Sequence, residues 1–180
     1  MKQITVISGK GGTGKTMLTA SFAALSKNSC FVDCDVDAAD LHLLLHPDVK
    51  ERHVFKSGFT ARIDREKCTG CGQCIEACRF SAISNEYEVD PISCEGCRIC
   101  GYVCPVQAIT MEENISGEWY VSTTKYGPFV HARLGVAEEN SGKLVTKVRR
   151  TAHGIAGDNH LDCVIIDLSL IHISEPTRPY

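Results

Sequence analysis

The sequence predicts an α/β chain: a parallel sheet, present only in part, interrupted by a small α+β domain rich in cysteine. Three observations lead there. A glycine-rich loop, Ser8-Gly9-Lys10-Gly11-Gly12-Thr13-Gly14-Lys15-Thr16, stands between a short apolar run and a helix former. Eight cysteines fall in two runs of one spacing, and the second repeats the first 26 residues later. Near residue 163 an apolar run, Cys163-Val164-Ile165-Ile166, ends on the acid Asp167, as a buried parallel strand would.

Bulk properties narrow the classes. The 180 residues suffice for one moderate core or two small ones. The net charge of −3 and the lack of a basic run argue against nucleic acid or an anionic membrane as partner. No stretch approaches the ~18 apolar residues of a transmembrane span. The first residues enter a strand directly, which leaves no room for a secretory leader. Eleven cysteines would suggest disulfides in a small secreted protein. Beside a nucleotide-type loop, and in tight Cys-x-x-Cys spacing, they read instead as reduced thiolates holding metal in a cytoplasmic protein.

Ile4-Thr5-Val6-Ile7 reads as a buried strand and Met17 to Ser26 as the following helix. Between them, Gly9, Gly11, Gly12 and Gly14 let backbone N–H groups converge on a phosphate, with Lys10 and Thr13 in the same loop. Lys15 then reaches the outer phosphates, Thr16 completes a Mg²⁺ shell, and the helix N-terminus adds partial positive charge. Cys30-Phe31-Val32 is a second short strand, ending at Asp33-Cys34-Asp35. One or both acids are expected in the loop, where a carboxylate orders metal-bound or attacking water. Asp37 and Asp40 serve equally well as helix caps. Leu41 to Leu45 is a short apolar stretch closed by His46-Pro47; His42 and His46 are i,i+4 but have no third ligand, and read as surface or core-edge residues. Residues 48–63, with Phe55 and Phe59, are expected as a strand or hairpin.

From Asp64 the composition changes. Cys68-x-x-Cys71-x-x-Cys74-x-x-x-Cys78 is answered by Cys94-x-x-Cys97-x-x-Cys100-x-x-x-Cys104-Pro105, and Ala82-Ile83 by Ala108-Ile109. Each half is too small to bury a core, so its stability should come largely from metal–thiolate bonds. Two-residue gaps fold three thiolates around one corner of a cluster, and the fourth cysteine rides a helix across to the other. One [4Fe–4S] cluster is therefore assigned to Cys68, Cys71, Cys74 and Cys104, and a second to Cys94, Cys97, Cys100 and Cys78. Paired zinc sites are the rival, although zinc does not need the doubled three-plus-one pattern. The segment 64–113 resembles bacterial two-cluster ferredoxins. It departs at Arg79-Phe80, where many have proline after the cysteine; Arg79 would raise the potential of the neighbouring cluster. Nine acidic residues against four basic in this segment suit a basic redox partner.

Glu118 to Thr124, around Trp119 and Val121, and Phe129 to Leu134 read as a hairpin across Tyr126-Gly127-Pro128. Trp119, Tyr120 and His131 read as structural. Ser141 to about Ala156 is an amphipathic helix with Leu144, Val148 and Ala152 on one face and Lys147, Arg149 and Arg150 on its solvated side. Cys30 and Cys163 lie inside apolar runs and read as packing.

The loop with a second lysine, Lys10, resembles that of the MinD/ParA/nitrogenase-iron-protein class of P-loop ATPases. So do Val32-Asp33-Cys34-Asp35-Val36-Asp37, Thr123-x-x-x-Gly127, His131-Ala132-x-Leu134 and Glu139-Asn140-Ser141-Gly142-Lys143-Leu144-Val145. On its own Lys10 would be a solvated lysine; the resemblance implies that it crosses a homodimer interface to the partner's nucleotide. It also implies Lys15 on the β/γ-phosphates of ATP, Thr16 on Mg²⁺, Asp35 orienting the attacking water, Asp33 near the metal, and Asp167 holding Mg²⁺ through water. One departure is Ala39-Asp40, where the iron–sulfur branch has Pro-Asn. The resemblance covers residues 1 to about 167 and divides the chain into an ATPase part, 1–63 and 114–167, and a ferredoxin domain, 64–113. After Asp167 the class continues with a Gly-x-Pro-Pro-Gly switch, whereas residues 168–180 here read as a non-native tail. The expected architecture is an incomplete P-loop NTPase parallel sheet carrying an inserted 2[4Fe–4S] ferredoxin domain, inactive as an ATPase in this form. The expected function is ATP-coupled electron transfer, or metal or cluster delivery, to a redox or metalloenzyme partner. The alternative is a non-hydrolysing ferredoxin-type carrier or a cluster scaffold.

Overall fold

Eleven elements follow one another in the computed structural model, which describes residues 1–8, 12–135 and 141–169. They are β1 (Lys2–Ser8), α1 (Lys15–Leu25), β2 (Ser29–Asp33), α2 (Leu41–Leu45), β3 (Asp48–Ile63), α3 (Gln73–Ala77), α4 (Ile99–Val103), β4 (Ile109–Thr124), β5 (Gly127–Leu134), α5 (Ser141–Asp158) and β6 (Cys163–Ser169). The chain separates into two compact units, Met1–Phe55 with the described residues from Gly117 on, and Lys56–Ser116. The second unit is wider than the cysteine segment itself, because the inner ends of β3 and β4 belong to it.

In the first unit the sheet order is β1-β6-β2-β5-β4-β3. β6 runs parallel to both β1 and β2, and β5 runs parallel to β2. β4 pairs antiparallel with β5 from Gly117 to Thr124. Every residue of β2 is buried, as expected of a central parallel strand covered on both faces. Side chains divide with period two. Cys30, Val32, Cys34, Val130, Val164 and Ile166 pack with Leu144, Val148 and Ala152 of α5. Phe31, Phe129 and Ile165 pack on the other face with Ala23 of α1 and Leu41 and Leu45 of α2.

Several elements differ from the sequence expectation. α1 begins at Lys15 rather than Met17, because Gly14 takes a left-handed conformation (φ 83°) and turns the loop directly into the helix. Residues 48–63, by contrast, form one long strand, the first of the two forms expected there. β4 starts at Ile109, well before Glu118, because its first half belongs to the second unit. β6 carries on through Leu168 and Ser169, paired with Ile7 and Ser8, and Leu168 is buried, so the sheet takes in the first residues of the segment read as a tail. Residues 170–180 lie outside the described residues. β1 meets β6 on one side, and Ile4, Ile7, Met17 and Leu18 are exposed. Among the described residues no helix is long and apolar enough to cross a membrane.

His131 sits on β5 opposite Asp33 on one side and Tyr120 on the other. Its ring stacks at 4.8 Å on both Tyr120 and Phe129. Burial, followed by the neighbouring charges of His42 and Arg133, lowers its pKa from 6.5 to about 4. The unfolded chain therefore binds a proton that the folded one refuses. The stabilisation is complete above pH 6.5 and is lost as pH falls towards 4. Chemical denaturation at pH 7 and pH 4 should show wild type losing roughly 2–3 kcal/mol more than His131→Phe across that interval; equal losses would mean that His131 is not held neutral.

Candidate functional site

Eight cysteines of the second unit surround two cavities. Cys68, Cys71, Cys74 and Cys104 line one, with Ile63, Tyr87 and Ala108 in its wall. Cys78, Cys94, Cys97 and Cys100 line the other, with Ala61, Ile83 and Met111. Each cavity thus takes three thiols from one run and the fourth from the other run. The two helices place them so. Cys74 and Cys100 are second residues of α3 and α4, whereas Cys78 and Cys104 cap the C-terminal ends of those helices. A helical turn of about 5.4 Å separates the two ends. α3 and α4 pack together, so the beginning of one helix meets the end of the other.

The backbone repeats along with the cysteines. Asp64 N–H donates to Ala108 O (2.7 Å) and Asp90 N–H to Ala82 O (2.8 Å), while Cys68 and Cys94 N–H donate to Asp64 and Asp90 O. Left-handed residues recur as Gly70 and Gly96, Gly72 and Arg98, and Ser81 and Gln107. At Gly96 a Cβ would lie 2.3 Å from the backbone oxygen of Phe59, so only glycine fits between Cys94 and Cys97. The Ala108 N–H donates to Cys104 Sγ at 3.3 Å, the kind of amide–sulfur bond that tunes a cluster. Tyr87 donates its hydroxyl to Gly70 O at 2.6 Å and braces the first turn.

The residues fit an iron–sulfur cluster in each cavity. Beside the sulfurs the walls are mostly apolar, with Glu95 and Arg98 in one and Thr69 and Tyr87 in the other; burial raises the thiol pKa of Cys74 and of Cys100, with neighbouring cysteines adding to it. Such thiols are held as thiolates only by a cation. Among the described residues no three His, Cys, Asp or Glu side chains converge closely enough for a single metal ion. Four sulfurs spread around each cavity suit a polynuclear cluster better than one zinc. No cysteine forms a disulfide; Cys30 and Cys34 lie in the sheet core, where burial lifts the Cys30 thiol to about 12.

In the first unit the loop residues Gly9, Lys10 and Gly11 lie outside the described residues. Gly12, Thr13 and Gly14 lead into α1, and Thr16 is half-buried in its first turn. Lys15 reaches back to Asp167 Oδ1 at 2.5 Å and Asp35 Oδ2 at 3.0 Å. Burial pulls its ammonium pKa down, but these two carboxylates outweigh it and the pKa is raised. Asp33 and Asp167 are register neighbours on β2 and β6. Asp33 accepts the backbone N–H groups of Asp35 and Leu41. Its own burial, with the Asp167 charge adding, pushes its pKa up to about 7. The second oxygen of Asp167, Oδ2, is buried and has no hydrogen-bond partner among the described residues. That orphaned acceptor, beside a lysine at the end of a glycine loop, fits a Mg²⁺-bound water next to a phosphate.

Sequence reasoning missed Phe59, Tyr87 and the Ala108 amide as parts of the cysteine site. Only the left-handed turns, visible as Gly70, Gly72 and Gly96, signalled where such contacts would be needed.

Residues 61–111 match the family model of a 4Fe-4S dicluster domain. The chain is also 36% identical over 193 aligned residues to a protein of Methanocaldococcus jannaschii, Uncharacterized protein MJ0578, across 98% of this chain and 68% of that relative. No solved structure matches the chain.

The tight turn at Gly96 separates two glycine substitutions. Gly96→Ala should empty the cavity of Cys78, Cys94, Cys97 and Cys100, because backbone has to move. Gly72→Ala meets open space and should cost only about 1 kcal/mol of backbone strain. Iron content and thermal unfolding of the two variants check this, and equal behaviour would show that the Phe59 contact does not shape the site.

Proposed function

We propose, since this chain belongs to the family of Methanocaldococcus jannaschii MJ0578 and contains a ferredoxin-like iron–sulfur domain, that it is an electron carrier with two [4Fe–4S] clusters. The observation that carries the reading is the partition of eight thiols into two cavities, three from one run and one from the other. Each cluster supplies a one-electron site. The chain's own part is to hold the sulfurs, exclude water with Ile63, Ile83 and Met111, and aim amides such as Ala108 N–H at sulfur. Full ligation by four cysteines leaves no open site for exchange, which favours a carrier over a scaffold that releases its clusters. The acidic excess of residues 64–113 favours a basic protein partner, and the reduced thiols favour the cytoplasm.

A second reading adds nucleotide control, favoured by Lys15 held between Asp35 and Asp167 and by the orphaned Asp167 Oδ2. In it the chain is a MinD/ParA-like P-loop ATPase, acting in its intact form as a homodimer with Lys10 in trans. Thr16 and Asp167 serve Mg²⁺, and Asp35 orients water. The phosphates of ATP would draw Lys15 from its carboxylates, and the ATPase cycle would govern delivery of electrons or metal to a redox or metalloenzyme partner.

Anaerobic purification followed by iron, sulfide and zinc analysis tests the first reading. About eight irons with equal sulfide are expected per chain; zinc with negligible sulfide would refute it. Cys78→Ala should abolish the cluster of Cys94, Cys97 and Cys100 and spare the one beside its own sequence neighbours. For the second reading, Mg-ATP titration calorimetry should give binding that Lys15→Ala removes by tenfold or more. No binding to either protein would leave the carrier without nucleotide control.

A further inference from the structure

Arg98 breaks the internal repeat at the place where its mate is Gly72. Both residues precede a short helix in left-handed backbone, with φ 66° for Arg98 and 79° for Gly72. Glycine takes that conformation freely, and a side chain there costs about 1 kcal/mol. The turn itself does not call for arginine, since Gly72 makes the same turn without one. The guanidinium lies 4.6 Å from the centroid of the Phe59 ring, a cation–π contact. Phe59 also presses its backbone oxygen on Gly96. β3 thus grips the turn at two points and holds Arg98 in the wall of the cavity of Cys78, Cys94, Cys97 and Cys100. A second basic residue, Arg79, follows Cys78, and its mate after Cys104 is Pro105. Both arginines therefore have uncharged mates in the repeat, and Arg98 is the one that lines a cavity. Lys67, beside Cys68, is ion-paired with Asp64 at 3.3 Å and brings that cavity little net charge.

We propose that Arg98, held over Phe59, makes the two clusters unequal, so that the one at Cys78, Cys94, Cys97 and Cys100 is reduced first. The inference rests on the cluster reading above. One electron arrives from a one-electron donor such as a reduced flavin, the cluster becomes one unit more negative, and no bond or proton moves. A nearby fixed cation stabilises that added charge. Glu95 lines the same cavity and offsets part of the effect, so the change on removing Arg98 is the informative quantity.

The test uses the full chain, purified anaerobically, as wild type, Arg98→Gly, Arg98→Lys and Phe59→Leu. Iron and sulfide are measured first, then a graded reduction with dithionite and mediators is followed by electron paramagnetic resonance. In Arg98→Gly, whose backbone suits the turn, one cluster should show its reduced-to-oxidised ratio fall about three- to tenfold at a fixed potential. The other cluster should stay unchanged. Arg98→Lys should stay near wild type, and Phe59→Leu should show a smaller shift of the same sign. Full iron with neither cluster shifted, or with both shifted equally, overturns the inference while leaving the cluster reading intact. Loss of iron in both Arg98 variants overturns it too, by making the residue structural. Wild type without iron and sulfide removes the cluster reading and this inference with it.

Discussion

One turn of helix governs the cysteine unit. Cys74 and Cys78 are four residues apart, at opposite ends of α3, and Cys100 and Cys104 stand likewise on α4. The thiol at the start of each five-residue helix lines one cavity and the thiol at its end lines the other, so each run gives its last cysteine to its neighbour. Neither half can then complete a site alone. The crossing joins two pieces that lack hydrophobic cores of their own into one cooperative domain, where metal–thiolate bonds take the place of buried area. Departures from the repeat carry the remaining information, because a symmetric pair of sites would be interchangeable. Arg98, in place of Gly72, joins Glu95 in the wall of one cavity, whereas, among the described residues, no charged one lines the other.

The sheet unit depends on a different constraint, the register of β2 against β6. Asp33 stands beside Asp167, and period-two alternation sends both carboxylates to the face covered by α1. Lys15, in the first turn of that helix, reaches Asp167 and Asp35. Two buried acids side by side would repel strongly; raising the pKa of Asp33 and engaging Asp167 with Lys15 relieves this. The arrangement is polarised at the carboxyl ends of the parallel strands, where open α/β sheets gather their ligand-contacting groups. Its cost is one buried acceptor, Asp167 Oδ2, with no partner among the described residues.

Much of this was legible in the residues. Spacing and repetition already divided eight cysteines into the two groups of four that line the two cavities, because two runs of one spacing fold into two like halves. The alternation of Phe31 and Val32, and of Ile165 and Ile166, determined that β2 and β6 are buried on both faces. Tertiary structure decided what sequence distance hides. It set β6 between β1 and β2, which brought Asp167 within 2.5 Å of Lys15 across 152 residues of chain. It extended β3 and β4 beyond their apolar patterns, because strand pairing, not hydrophobicity, sustains those ends. It also set Phe59 against Gly96 and Arg98, a contact between a strand and a turn whose periodicities are unrelated. Local pattern specifies which atoms can share a face, and only the closing of the chain on itself specifies which faces meet.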